Sequence, residues 1–282
     1  MAELAGAFAA SHAPLIAREW ETLTPPTKKK IVTAFGDMKA RIEALSPDIL
    51  IVLAPDHWVN FFLDNLPAFC IGVGTEHGGP PEPFLAPKFP HKAMAGHPEF
   101  ARHLAETAFE KGFEPSLTYD ARLDHGFCIP LWQLNLDPLP AIVPIFVNEL
   151  EEPMPTVARC FDWGRMIAAA IETYPDDLRI AMLGSGGLSH SIGEPTMGKI
   201  DEPFDRNCID LFSRADETEI ADTLTRALPT VGNGSAEVRS WVIAHAAMGC
   251  QGFELIDYEP VPEVYVGCGW AEWRKSAQSG DS

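Results

Sequence analysis

The stretch Ile49-Leu50-Ile51-Val52-Leu53-Ala54-Pro55-Asp56-His57 decides the fold. Six apolar, mostly branched residues in a row read as a strand buried on both faces, as in a sheet covered by helices on either side. Pro55 has no N–H for the ladder, so the strand stops there and Asp56 and His57 are presented beyond its C-terminal end. In open α/β sheets, ligands bind along that edge.

The same pattern recurs along the chain. An apolar run at residues 4–10 is followed by Ser11-His12. Another at 178–183 is followed by Gly184-Ser185-Gly186-Gly187-Leu188-Ser189-His190, and a weaker one at 117–123 by Asp124-His125-Gly126. A single histidine in this position is commonly a cap or a surface residue. Four in the same relation predict one cavity, provided the strands are neighbours with a common edge.

Between these runs the periodicity turns helical. Residues 28–44 carry Ile31, Phe35, Met38 and Ile42 near helical spacing and complete a right-handed β-α-β unit with the first two strands. Further helices are expected at 98–111, 129–136 (continuing from the His125 turn), 155–173, 201–213, 217–228 and 236–248. Strands are expected at 66–73, as a hairpin partner of the central strand, and at 141–148, with a strand-like aromatic tail at 258–273. Residues 74–90, rich in Gly and Pro, read as an irregular loop that could wall a pocket. The alternation predicts an α/β fold: a single domain with a central, largely parallel or mixed sheet covered by helices on both faces, spanning 1–275 with a disordered tail at 276–282.

The 282 residues suffice for one large core. The net charge of −19 argues against a nucleic-acid partner, which needs a basic face. No apolar run approaches the roughly 20 residues of a membrane span. The start, Met1-Ala2-Glu3, lacks a basic signal-peptide region, so a cytoplasmic location is expected. Six cysteines without a C-x-x-C suggest neither a disulfide framework nor a zinc knuckle.

Two histidines with one carboxylate form a facial metal triad with open positions, a set suited to Fe(II) that activates O₂. Glu237, expected in the first turn of a helix capped at 233–235, is a candidate third ligand, although an acidic residue there also suits the helix dipole. Two further histidines could then act as acid and base near neutral pH. Ser185 in Gly-Ser-Gly-Gly loosely resembles a nucleophile turn, but G-x-S-x-G is absent, and no Walker spacing accompanies the glycines. His77, His91, His97, His103 and His245 read as structural or surface residues, and Cys128 as packing.

Ser11-His12-Ala13-Pro14, Pro55-Asp56-His57, Leu123-Asp124-His125-Gly126 with Pro130-Leu131, residues 184–190, and Glu237 with Trp241 together resemble the class III extradiol ring-cleavage dioxygenases. The likeness is to the catalytic subunit of protocatechuate 4,5-dioxygenase and its lignin-pathway relatives, in order over residues 4–250. The resemblance implies His12, His57 and Glu237 as Fe(II) ligands, His190 as the base that takes a catechol proton, and His125 as a second acid/base near O₂. It implies a carboxylated, lignin-derived catechol such as protocatechuate, gallate or a biphenyl catechol as substrate. The small helical domain of some relatives is absent, so either a partner subunit or a homo-oligomer would close the site. A zinc-dependent hydrolase, or a non-catalytic binding protein on the same fold, is the alternative.

Overall fold

The structure, a computed structural model, describes residues 1–274; the tail expected at 276–282 lies outside the described residues. The chain runs β1 (Glu3–Ala10), α1 (Pro14–Arg18), α2 (Pro25–Leu45), β2 (Ile49–Ala54), β3 (Phe69–Gly72), β4 (Glu76–Gly79), β5 (Lys92–Ala95), α3 (Pro98–Glu110) and β6 (Ser116–Thr118). It continues with α4 (His125–Leu134), β7 (Ala141–Val147), α5 (Val157–Thr173), β8 (Arg179–Ser185), α6 (Glu202–Arg214), α7 (Glu217–Ala227), α8 (Val238–Ala247), β9 (Phe253–Val261) and β10 (Val266–Trp273).

Eight strands form one mixed sheet in the order β6-β3-β7-β2-β8-β1-β10-β9. Its centre, β7-β2-β8-β1, is parallel. β10 pairs antiparallel with β1 and with β9, and β3 antiparallel with β7. The central strand is buried at every position because alternate residues serve opposite layers. Ile49, Ile51 and Leu53 join a core with residues of α3, α5, α6 and α8, whereas Leu50, Val52 and Ala54 face α1, α2 and α4.

The local chemistry explains where elements begin. α2 starts at Thr24, whose hydroxyl accepts from the Thr27 amide, with Pro25 at its first position, where a missing N–H costs nothing. Asp124 caps α4 by accepting from the Gly126 amide.

Several expectations are corrected. β3 pairs with β7 and β6, not with β2 as a hairpin. Part of the 74–90 segment is strand: β4 pairs with β5 in a small second sheet. His125 does not follow a strand; β6 ends at Thr118 on the sheet's far edge, and His125 opens α4 instead. The turn at 233–237 is a 3-10 helix without a side-chain cap, and α8 begins only after Glu237. The aromatic tail is two strands of the main sheet.

Candidate metal centre and active site

Strand order brings the histidines together. β2, β8 and β1 are neighbours running the same way, so His57, the 186–190 loop and His12 leave the sheet along one edge. α4 adds His125 from the side, and the 3-10 turn adds Glu237. All four histidines and Glu237 line one cavity of about 190 Å³.

Each imidazole is held at Nδ1 from outside the cavity. His190 Nδ1 lies 3.1 Å from the Leu188 carbonyl oxygen, which can only accept, so that nitrogen carries the proton. His57 Nδ1 lies 3.2 Å from Asp124 Oδ2, which also accepts the His57 amide at 2.7 Å. His125 Nδ1 lies 2.8 Å from Glu82 Oε1, which likewise accepts the His125 amide.

At His12 the reasoning takes one step more. Pro130 in α4 has no N–H for the Gly126 carbonyl one turn earlier. Ser185 Oγ donates to that free carbonyl, so its lone pair accepts from His12 Nδ1, 3.0 Å away. In its neutral form each of the four rings therefore carries the proton on Nδ1 and keeps the Nε2 lone pair for the cavity, the arrangement typical of metal-ligating imidazoles.

Opposite them, Glu237 is 2% exposed. Its Oε2 accepts the Gly187 amide at 2.7 Å. Its Oε1 lies 3.6 Å from Nε2 of His12, 3.8 Å from that of His57 and 3.6 Å from that of His190. His12, His57 and His125 also bring one nitrogen each to within 4.8 Å of one another, a facial-triad-like cluster able to bind a divalent metal such as Fe(II).

The field across the cavity favours an ionised Glu237 beside protonated His57 and His190. Burial disfavours the Glu237 carboxylate, but His12 and His190 outweigh it and hold its pKa well below the usual range. Burial lowers the pKa of His57, yet Asp124 and Glu237 raise it to about 10. His190 is raised by Glu237 against its burial. Burial and the neighbouring His57 lower His125. Protons drawn to Nε2 beside Glu237 occupy the positions for which a divalent cation would compete.

The comparisons agree. Residues 6–269 match the family described as the catalytic LigB subunit of aromatic ring-opening dioxygenase. The chain belongs to that family. It is 32% identical over 204 residues to a 2,3-dihydroxyphenylpropionate/2,3-dihydroxicinnamic acid 1,2-dioxygenase of Photorhabdus laumondii, covering 71% of this chain and 60% of that protein. It is 26% identical to the enzyme of that name from Rhodococcus globerulus, covering 91% of this chain and 94% of that one. The solved structure of an uncharacterized protein from Escherichia coli K12 shares the fold, with TM-score 0.56, 16% identity and coverage of 95% of this chain and 99% of that one. The LigB-family chain is thus a non-haem Fe(II) extradiol dioxygenase acting on a catechol-type ring.

Two site residues escaped the sequence reading. Glu82 sits in a Gly/Pro-rich segment where no periodicity singles out a carboxylate. Ser185, weighed as a nucleophile, is buried at the end of β8 and has both hydroxyl functions engaged. His77, His91, His97, His103 and His245 lie outside the cavity lining. His97 caps α3 by accepting the Phe100 amide, and His245 accepts from Trp273 Nε1. Cys128 is buried, with its thiol directed at the Leu123 carbonyl.

Proposed function

We propose that His12, His57 and Glu237 hold the Fe(II), with His190 and His125 serving as proton carriers in cleavage of the catechol ring by O₂. The observation that carries this reading is the convergence of Nε2 lone pairs on Glu237 Oε1. Two donors about 2.1 Å from one ion at right angles lie roughly 3 Å apart, close to the 3.6 and 3.8 Å separations of His12 and His57 from Glu237. His190 Nε2 lies equally near Glu237 Oε1, at 3.6 Å, and His12 and His57 are preferred to it because they also cluster with His125. Glu237 is favoured over His125 as third ligand because a fully buried carboxylate left without a cation is costly.

Bound Fe(II) supplies a positive charge that acidifies the catechol hydroxyls and a route for ring electrons to reach O₂. The chain supplies the rest. His190 Nε2 takes a hydroxyl proton, and the resulting imidazolium is stabilised by the Leu188 carbonyl at Nδ1–H. His125, with Glu82 behind it, returns a proton to oxygen later in the reaction. Ala13, Pro14, Leu15, Val264 and Val266 line the cavity as an apolar belt that fits a flat ring and limits water.

The relatives named above act on catechols with a carboxylate-bearing side chain, and we extend a carboxylated catechol to this chain on that ground. Exposed Ile192, Met197 and Tyr265 on the cavity lining favour cover by a second copy or by a small helical subunit. No helix among the described residues is long and apolar enough to cross a membrane; the six free cysteines favour a reducing, cytoplasmic setting.

The test is to load the protein with Fe(II) anaerobically, add a catechol and admit O₂. The expected result is O₂ uptake equal to catechol consumed and a yellow ring-opened product, abolished by iron chelation. Zinc-restored hydrolysis of an ester or amide without O₂ uptake would contradict it.

A further inference from the structure

The cavity is layered. Its floor is buried: His12 and Glu237 are 3% and 2% exposed. Above the apolar belt, the lining reaches the surface at Ile192, Met197, Tyr265 and Arg18. Arg18 is the one permanently charged cation among the described residues that line the cavity, and Glu237, engaged at the floor, is the one carboxylate.

Arg18 stands in the last turn of the short helix α1, which begins two residues after His12, so its backbone is tied to the metal-ligating strand end. Among the described residues its side chain makes one contact, from Nε to Glu19 Oε1 at 2.9 Å. Both groups of that pair are well exposed, 58% and 41%, and such surface pairs contribute little. Both Nη groups are left for another acceptor. A guanidinium offers a planar fork matched to a carboxylate. In a chain of net charge −19 an anionic substrate gains nothing from the mean field and needs a local cation.

We propose that Arg18 is the specificity residue that recognises the substrate's carboxylate, and that this carboxylate sits on a short arm reaching the rim, not directly on the ring. The proposal rests on the reading of the cavity as a catechol site. With the diol at the floor and the ring against Pro14, Leu15 and Val264, an acid bonded to the ring would lie in the apolar belt and lose hydration without a partner. A carboxylate two or three bonds further out meets Arg18 at the rim. Such an arm is the one borne by the substrates in the names of the relatives above, and Arg18 is the residue assigned to read it.

The experiment pairs 3-(2,3-dihydroxyphenyl)propionate with its neutral methyl ester, using iron-loaded wild type and Arg18→Lys, Arg18→Gln and Arg18→Glu, each checked for its melting temperature. The reading is the ratio of kcat/KM for the acid to that for the ester. The expected result is a fall in this ratio of about tenfold in Arg18→Gln, smaller in Arg18→Lys and larger in Arg18→Glu, carried mainly by KM and shrinking in high salt. A ratio that stays constant across the folded series overturns the proposal, as does a wild-type kcat/KM that is higher for protocatechuate, with its ring-bound acid, than for the propionate. Equilibrium binding of the same pair, followed by tryptophan fluorescence without O₂, separates the two readings. If wild type turns over neither compound, the catalytic reading fails, while a binding preference for the acid that Arg18→Gln loses still supports the role of Arg18; no such preference overturns it.

Discussion

At the scale of single residues, the site depends on groups that never face the cavity. His12 keeps its Nε2 lone pair inward because Ser185 accepts its Nδ1 proton, and Ser185 does so because its own proton goes to a carbonyl that Pro130 has left free. Ser185→Ala removes this lock without touching a proposed ligand. Iron affinity should fall about 10–100-fold, the usual cost of losing such an outer partner, as measured by chelator competition. Gly234 is a second case. A Cβ there would overlap the His190 ring at Nε2, so Gly234→Ala must displace the proposed base. The variant should retain iron but lose about 10²–10⁴-fold in catechol turnover, the typical contribution of a general acid–base group. Steady-state rates at known iron content check this; wild-type turnover would mean that His190 is not the base. Neither Ser185 nor Gly234 could be assigned these roles from the sequence. A serine beside glycines suggests a nucleophile turn, and only the third dimension shows that both its hydrogen-bonding functions are spent. The histidines were legible because each stands at the end of an apolar run or beside an acidic residue that caps a helix.

At the scale of elements, α4 joins folding to chemistry. Asp124 accepts the Gly126 amide as helix cap with Oδ1 and holds His57 with Oδ2. Burial raises its pKa, but His57 and His125 outweigh this and bring it to about 2, so it stays ionised. Asp124→Ala should cost about 1 kcal/mol from the lost cap and also loosen His57. Thermal melts with and without Fe(II) test both: the melting temperature should drop, and the stabilisation given by added Fe(II) should shrink. Equal stabilisation by iron in variant and wild type would argue that Asp124 serves only the helix. Strands buried on both faces, such as β2 and β7, were readable because a helix cannot use six or seven consecutive apolar residues on one stripe. The weak run before His125 misled for the converse reason. Only Ser116–Thr118 pairs in the sheet, and the capping aspartate, not a strand, positions the histidine. β4 and β5 were hidden by their glycines and lysine, which carry little strand propensity.

At the scale of the molecule, the sequence could name the residues at strand ends but not the strand order that makes β2, β8 and β1 neighbours. That order follows from packing of both layers, which no local window contains. The fold also buries histidines away from the cavity, and this has a consequence for stability. Burial lowers the pKa of His245 from 6.5 to about 4. The unfolded chain therefore takes up a proton before the folded one, so the contribution of a neutral His245 is full above pH 6.5 and is lost as pH falls towards 4. In denaturant unfolding, the stability of wild type relative to His245→Gln should decline over that window by at most about 1.4 kcal/mol per pH unit. A difference that is flat from pH 6.5 to 4.5 would contradict this.

The central claim is that iron is held by His12, His57 and Glu237 while His125 and His190 only carry protons. The most direct test is the iron content of five variants purified anaerobically: His12→Ala, His57→Ala, Glu237→Ala, His125→Phe and His190→Phe, each checked for folding by its melting curve. The account predicts folded proteins in which the first three no longer retain Fe(II) and the last two retain it near the wild-type level. A Glu237→Ala protein that keeps its iron, beside a His125→Phe protein that loses it, would contradict the account and assign the site to three histidines.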